Sequence, residues 1–310
     1  MFKRKNAGRL YSKWSGGNMV LYPGDCHGNE WFADSVNGSA TASGRSWEDA
    51  ISTVAAAVAL ASAGDTVYIR GSFTEAVSAA VAGLRIIGSG TRPKETQWTA
   101  DADAICLTIS AAYCEVANIY FRPPAYTAGT PAAIQVGGAD YAYIHDCRFQ
   151  GKTASHQAIY SPVCDSDNVE ISDCEFYYLN TATYGAAILG VETGGAFYSG
   201  WRILRNTFSG CVTAVNIAGR GCRVEGNMFM EYGTPAAGGE AAAVCTLALD
   251  LSGAQSGGNC VTGNTMMGDY STAGLYKPGT NGDCWIGNFA ADTAETEVGD
   301  NGITIAVPAA

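Results

Sequence analysis

An aliphatic residue, a small or amide residue and an aromatic or Met recur along this chain at fixed offsets. Ile203-x-x-Asn206-x-Phe208 is followed 21 residues later by Val224-x-x-Asn227-x-Phe229. Aligned on the final Phe or Met, the copies end at Phe121, Phe149, Phe176, Phe208, Phe229 and Met266, with a shorter copy at Asn288-Phe289. The position two before reads Ile119, Cys147, Cys174, Asn206, Asn227 and Asn264. The position five before is always aliphatic: Val116, Ile144, Ile171, Ile203, Val224 and Val261. Spacings of 28, 27, 32, 21, 37 and 23 residues separate the copies.

A helix would place apolar residues at i, i+3, i+4 and i+7. These segments instead alternate, are rich in β-branched and aromatic residues, and are bounded by Gly, Asn, Asp and Ser. Each copy therefore predicts a short strand, a turn and a second short strand. A constant motif with variable spacing predicts stacked coils whose loops differ in length. Stacking at ~4.8 Å places like residues above one another. The aliphatic and Phe positions then fill interior files. The Asn is expected at the bend, in the left-handed region, bonding its counterpart in the next coil. Cys147, Cys174, Asn206, Asn227, Asn264 and Asn288 form this predicted structural ladder.

Upstream, Ser46 with Asp49 three residues on resembles a capping box. Trp47, Ala50, Ile51, Val54, Val58 and Ala61 follow helical spacing up to Gly64. This predicts one amphipathic helix, placed to cover the open end of the solenoid. Residues 65–69 then predict a strand, and 83–93 the first full coil. At the other end, Ile303–Val307 predicts a last strand, in a segment that closes the solenoid or joins a neighbour.

The residues 31–77, WFADSVNGSATASGRSWEDAISTVAAAVALASAGDTVYIRGSFTEAV, with GLRIIGSG and the Asn-x-Phe units, resemble the right-handed parallel β-helix, pectate-lyase-like superfamily. Within it they are most similar to β-helix proteins carried on bacteriophage particles. The resemblance implies an all-β, right-handed parallel β-helix solenoid with an N-terminal capping helix and a short N-terminal anchoring arm. Its division would be an attachment arm at 1–30, an entry strand and capping helix at 31–82, a β-helix at 83–290 and a closing or subunit-contact segment at 291–310. It further implies a homotrimer attached to other virion proteins, of capsid or tail, and assembled in a host cytoplasm.

Charge adds to this picture. The chain is acidic overall, −11, which argues against a nucleic-acid partner. Yet Lys3, Arg4, Lys5, Arg9 and Lys13 make residues 1–24 basic, with no acid among them. Such an arm is either a solvated tail or an anchor for an acidic protein surface. Together with Tyr11 and Trp14 these residues are the candidate virion-attachment set; Tyr22 and Trp31 add further aromatic anchors. No segment reaches the ~18 apolar residues of a membrane span, and residues 10–21 lack the apolar core of a signal peptide. The eleven Cys are odd in number and contain no CxxC, which predicts reduced, buried thiols such as Cys106 and Cys245.

Catalytic chemistry has the thinnest support in the sequence. Glycan-cleaving β-helix enzymes need paired carboxylates, or carboxylates holding Ca²⁺ with a basic residue. Acids are densest in CDSDNVEISDCEF, 164–176. Asp173 and Glu175 share a strand face, and Asp146 precedes Cys147 as Asp173 precedes Cys174. Asp146, Asp173 and Glu175 are thus the catalytic candidates, set against the simpler reading of a solvated acidic edge. His27, His145 and His156 show no metal spacing, and no cofactor motif occurs. The Gly- and aromatic-bearing loops at 193–201 and 230–239 point to a sugar or, more readily, to a neighbouring subunit. Two functions remain open: a trimeric virion spike or decoration protein that touches host glycan, and a polysaccharide depolymerase, hydrolase or lyase. A secreted adhesin fits poorly with eleven Cys and no leader.

Overall fold

The computed structural model describes residues 11–15, 18–22, 28–100, 104–122, 132–151, 157–177, 179, 186–192, 194–230, 247–267 and 276–291. Strands β1 (Tyr11–Ser15) and β2 (Asn18–Tyr22) pair antiparallel, with Tyr11 opposite Tyr22 and Trp14 opposite Met19. Every other strand pairs in parallel with the equivalent strand one coil away. The chain is a parallel β-helix.

Three sheets wind around one core. Sheet 1 begins at β3 (Glu30–Asp34) and β4 (Thr66–Thr74) and ends at Cys284–Ile286. β4 runs unbroken through a corner: residues 66–69 pair within sheet 1, residues 71–74 within sheet 2. Gly71 makes the corner possible, with φ +100° and the Ser35 hydroxyl where a Cβ would lie. Sheet 2 continues to Phe289–Ala291. Sheet 3 runs from β5 (Val77–Ala79) to Tyr276–Lys277. β3 and β4, in the region expected to be entry strand and cap, already belong to the stack.

The interior is built of files. Trp98, Phe121, Phe149, Phe176, Phe208 and Phe229 stack ring on ring, with centroids 4.6–5.7 Å apart and all buried. A second file reads Ile86, Val116, Ile144, Ile171, Ile203, Val224, Val261 and Trp285. Sheet 3 adds Val77, Leu107, Ile134, Ile159, Ile188, Val215, Leu249 and Tyr276. Burial of these side chains is the main favourable term, at about 1.5–3 kcal/mol for each large one.

The amide file lies between sheets 1 and 2. The backbone N–H and Nδ2 of Asn206 both donate to Oδ1 of Asn227, at 2.9 and 3.1 Å. Asn227 treats Asn264 the same way, and Asn264 treats Asn288. Each Nδ2 also donates to a backbone carbonyl one coil below, of Ile171, Ile203, Val224 and Val261 in turn. The four amides are at most 1% exposed, so their bonds offset a large desolvation penalty. Cys174 receives the lower end of the file through its N–H, which donates to Asn206 Oδ1.

Four sequence expectations change. The left-handed residue at this corner is not the Asn but the residue before it: Asn118, Asp146, Asp173, Arg205, Gly226, Gly263 and Gly287 all have φ between +50° and +64°. The last copy keeps the spacing of its first two positions, so Trp285 and Asn288 continue their files while Phe289 pairs with Thr265 and faces outward, half-exposed. The helix α1 (Val54–Leu60) starts eight residues after Ser46. The Ser46 hydroxyl does accept the Asp49 N–H, but as a turn, and Ile51 is bridged to Ala33 and Ser39. Thr53 caps α1, and the Glu75 carboxylate accepts the Val54 and Ala55 N–H groups, both at 2.9 Å. Finally, two of the three aromatics of the 193–201 loop, Tyr198 and Trp201, turn inward, while Phe197 stays partly exposed under Arg220. The Tyr198 hydroxyl shares its one hydrogen between the carbonyls of Ser161 at 2.8 Å and Val191 at 3.1 Å, and Trp201 Nε1 donates to the Ser166 carbonyl, because buried O–H and N–H groups need partners within the coil. The Ile303–Val307 strand and the 231–239 loop lie outside the described residues.

Candidate outer face site

Strand alternation places every second residue of sheet 1 outward. One outward row reads Arg85, Glu115, Tyr143, Glu170, Arg202, Arg223, Cys260 and Cys284. The adjacent row contains Ala117, His145, Ser172, Leu204, Glu225, Thr262 and Ile286. Coil pitch therefore turns residues 20 to 40 apart in sequence into neighbours.

The densest constellation centres on His145. Its Nε2 lies 3.0 Å from Glu115 Oε1 and its Nδ1 2.7 Å from Asp146 Oδ2. Arg85 grips the same Glu115 through Nε at 2.6 Å and Nη2 at 3.3 Å. The imidazole lies on the Tyr143 ring, centroids 3.9 Å apart, and the Ser172 hydroxyl donates to the Tyr143 hydroxyl at 3.4 Å. Both ring nitrogens of His145 face carboxylates, so both donate only when the ring is cationic. Burial alone would raise the Glu115 pKa, but the bonds from His145 and Arg85 outweigh it and hold the group down at about 2. The two carboxylates engage different ring nitrogens, Glu115 at Nε2 and Asp146 at Nδ1. Among the described residues, no group of three His, Cys, Asp or Glu is placed to hold one.

The three carboxylates proposed from sequence are dispersed by their partners. Asp146 and Asp173 do occupy the same corner in adjacent coils, but Asp146 binds His145 while Asp173 takes a bidentate pair from Arg205 at 2.9 and 2.7 Å. Glu175 lies 3.7 Å from Arg148. The rows continue this way: Glu170 pairs with Arg202 at 2.7 Å, and Glu225 with Arg223. Other acids of 164–176 serve turns, as when Asp167 Oδ1 accepts the Ser199 N–H.

A glycoside hydrolase needs one carboxyl held protonated near neutral pH while its partner stays ionised. Asp34, Glu48, Asp65 and Glu115 are each displaced downward by the groups that bond them. The site is a face of neutralised charge. A separate open notch of about 320 Å³ lies between α1 and β5, lined by Ala55, Val58, Ala59, Ala76, Ser78 and Val81, without a titratable group. Of the predicted attachment residues, Tyr11, Lys13 and Trp14 lie on β1, and Lys3, Arg4, Lys5 and Arg9 lie outside the described residues.

No family model matches the chain, and no curated protein matches it in sequence. Solved structures do match in shape. A GH136 lacto-N-biosidase from Eubacterium ramulus superposes with a TM-score of 0.57 at 13% identity, over 84% of this chain and 56% of its own. A pectin methylesterase from Erwinia chrysanthemi matches at 0.43 and 12%, over 76% of this chain and 78% of its own; a rhamnogalacturonan lyase matches at 0.42 and 12%, over 86% and 66%. The chain spans just over half the length of the lacto-N-biosidase. At these identities what is shared is the parallel β-helix fold. The names are those of enzymes, and none refers to a virus particle.

Proposed function

We propose that this chain is a non-enzymatic, glycan-contacting β-helical spike of a bacteriophage particle, trimeric and attached through residues 1–30. The observation that carries the non-enzymatic part is the pairing of charge on the outer face. Each of Glu115, Asp146, Glu170, Asp173, Glu175 and Glu225 has a basic partner within 4 Å. Such a face presents hydrogen-bonding groups to sugar hydroxyls while its carboxylates are already engaged by basic side chains. The virion assignment is supported by the resemblance of residues 31–77 and by the basic arm.

A second reading, a polysaccharide depolymerase, is favoured by the His145 cluster, in which a buried imidazole between two carboxylates lies beside the Tyr143 and Ser172 hydroxyls on the outer side of sheet 1. A panel of purified bacterial capsular polysaccharides and lipopolysaccharides separates the two. We expect binding to one of them by surface plasmon resonance, with no new reducing ends and no unsaturated uronates. Cleavage that is lost in Glu115→Gln would overturn the non-enzymatic reading. A monomer by light scattering, or particle decoration that survives deletion of residues 1–30, would overturn the spike.

A further inference from the structure

The nine described Cys fall into three groups. Cys106, Cys114, Cys147, Cys174, Cys211 and Cys222 are buried in the interior, and burial pushes the Cys106 and Cys222 thiols up to about 12. Cys164 is half-buried, and its thiol donates to the Val191 carbonyl at 3.4 Å. Cys260 and Cys284 differ in both position and exposure. They are direct Cα partners in the last two strands of sheet 1, both on the outward row, Cys260 half-buried and Cys284 exposed. Neither thiol fills the core, so packing does not explain why both positions hold Cys.

We propose that Cys260 and Cys284 are a redox-reversible latch that closes a disulfide across the last two coils. Partners in adjacent parallel strands have Cα atoms about 4.8 Å apart, inside the roughly 4.4–6.8 Å that a disulfide spans. The Cβ atoms must come closer than the strand spacing, to about 3.8 Å. Among the described residues the strand Cys284–Ile286 is paired on one side only, so it can tilt to allow this. The closed bond therefore carries some strain, and strained, exposed disulfides are the readily reduced ones.

The chemistry is exchange with a small-molecule disulfide such as oxidised glutathione. The Cys284 thiolate, which is the accessible one, attacks a reagent sulfur and releases one glutathione thiolate. The Cys260 thiolate then attacks Cys284 Sγ and releases the second. Two protons pass from the protein thiols to the two leaving thiolates, and the reagent takes up the two electrons. Burial and contact with Cys284 both hold the Cys260 thiol above its usual range, which fits it as the slower, resolving partner.

The test treats the full chain with oxidised glutathione, then applies peptide mapping by mass spectrometry and hydrogen exchange. The expected result is a linked Cys260–Cys284 peptide lacking two hydrogens, slowed exchange in residues 284–291, and full reversal by dithiothreitol. Cys260→Ser should leave a stable glutathione adduct on Cys284. Stable adducts on both Cys in the wild type, two free thiols after prolonged oxidation, or linkage of Cys284 to any other Cys would overturn the proposal. Both thiols face outward, so the Ser variant is expected to fold; its hydrogen exchange in residues 30–260 serves as the check.

Discussion

The two halves of the solenoid build the same corner in different ways. In the earlier coils the left-handed residue is Asn118, Asp146, Asp173 or Arg205, and Ile119, Cys147 or Cys174 follows the first three of these. In the later coils the left-handed residue is Gly226, Gly263 or Gly287, and a buried Asn follows each. Glycine takes the left-handed conformation without the ~1–2 kcal/mol penalty of a side chain. In the earlier half Asp173 and Arg205 carry that penalty and gain a bidentate ion pair on the surface. The later half exchanges surface charge for a polar file through its core. The difference shows that a β-helix corner has two separable requirements: a backbone that turns, and a partner for the polar groups the turn buries.

Perturbing the file itself should have the largest effect. Asn227→Ala removes Oδ1, on which both the N–H and the Nδ2 of Asn206 rest, and strands the Ile203 carbonyl. The expected loss is roughly 3–5 kcal/mol in urea unfolding, above a single neutral bond because several buried groups lose partners together. A loss below ~1 kcal/mol would mean the file is ornamental.

The charged rim of the earlier half gives the next effect. Glu115 and Asp34 are held down at about 2, from ordinary values of 4.5 and 3.8, each by bonds that outweigh burial. Because their folded pKa values are depressed, their contribution is complete above about pH 5 and disappears as the pH falls towards 2. Each should account for on the order of 2–3 kcal/mol. Glu115→Gln should flatten the acid limb of a stability profile measured by thermal unfolding. An unchanged limb would remove Arg85 and His145 as the cause.

Two smaller substitutions test the comparison directly. At Gly263 φ is +61° and nothing lies within 4 Å of the place a Cβ would take, so Gly263→Ala should cost about 1 kcal/mol from the backbone alone. Cys174→Asn follows the left-handed Asp173 and points at the Ile144 carbonyl, which its thiol already reaches at 3.8 Å. It should extend the amide file by one step and stabilise the fold by ~0.5–1 kcal/mol. Destabilisation there would show that the earlier half cannot accept the later half's solution.

Sheets 1 and 2 are legible in the sequence because their strands flank a corner of constant length. Val116 to Phe121 and Ile144 to Phe149 have the same spacing, so the registers follow. Sheet 3 is not. Its strands come after Phe at distances that vary with the loops, as Phe208 to Val215 and Phe229 to Leu249 show. The β1–β2 hairpin escapes because nothing in residues 11–22 repeats. Sequence spacing extends α1 too far because the Ser46–Asp49 pair caps a turn as readily as a helix. The His145 cluster is hidden for a different reason. Glu115 precedes Val116 and His145 follows Ile144, so the pair is diagonal in the alignment, and like-for-like files do not reveal it. Asp146 and Asp173 do fall in adjacent coils as their spacing predicts, but no sequence pattern shows that His145 and Arg205 claim them separately.

The winding from Ile203 to Val224 takes 21 residues and carries no long excursion. It touches its neighbours above and below through an aliphatic and a ring at each junction, with the Asn206–Asn227 amide pair above and the Cys174 N–H on Asn206 Oδ1 below. A segment with those properties is a modular ruler. Duplicating it would lengthen the rod by about 4.8 Å per copy and add one more step to the amide file, Asn206 against its own copy.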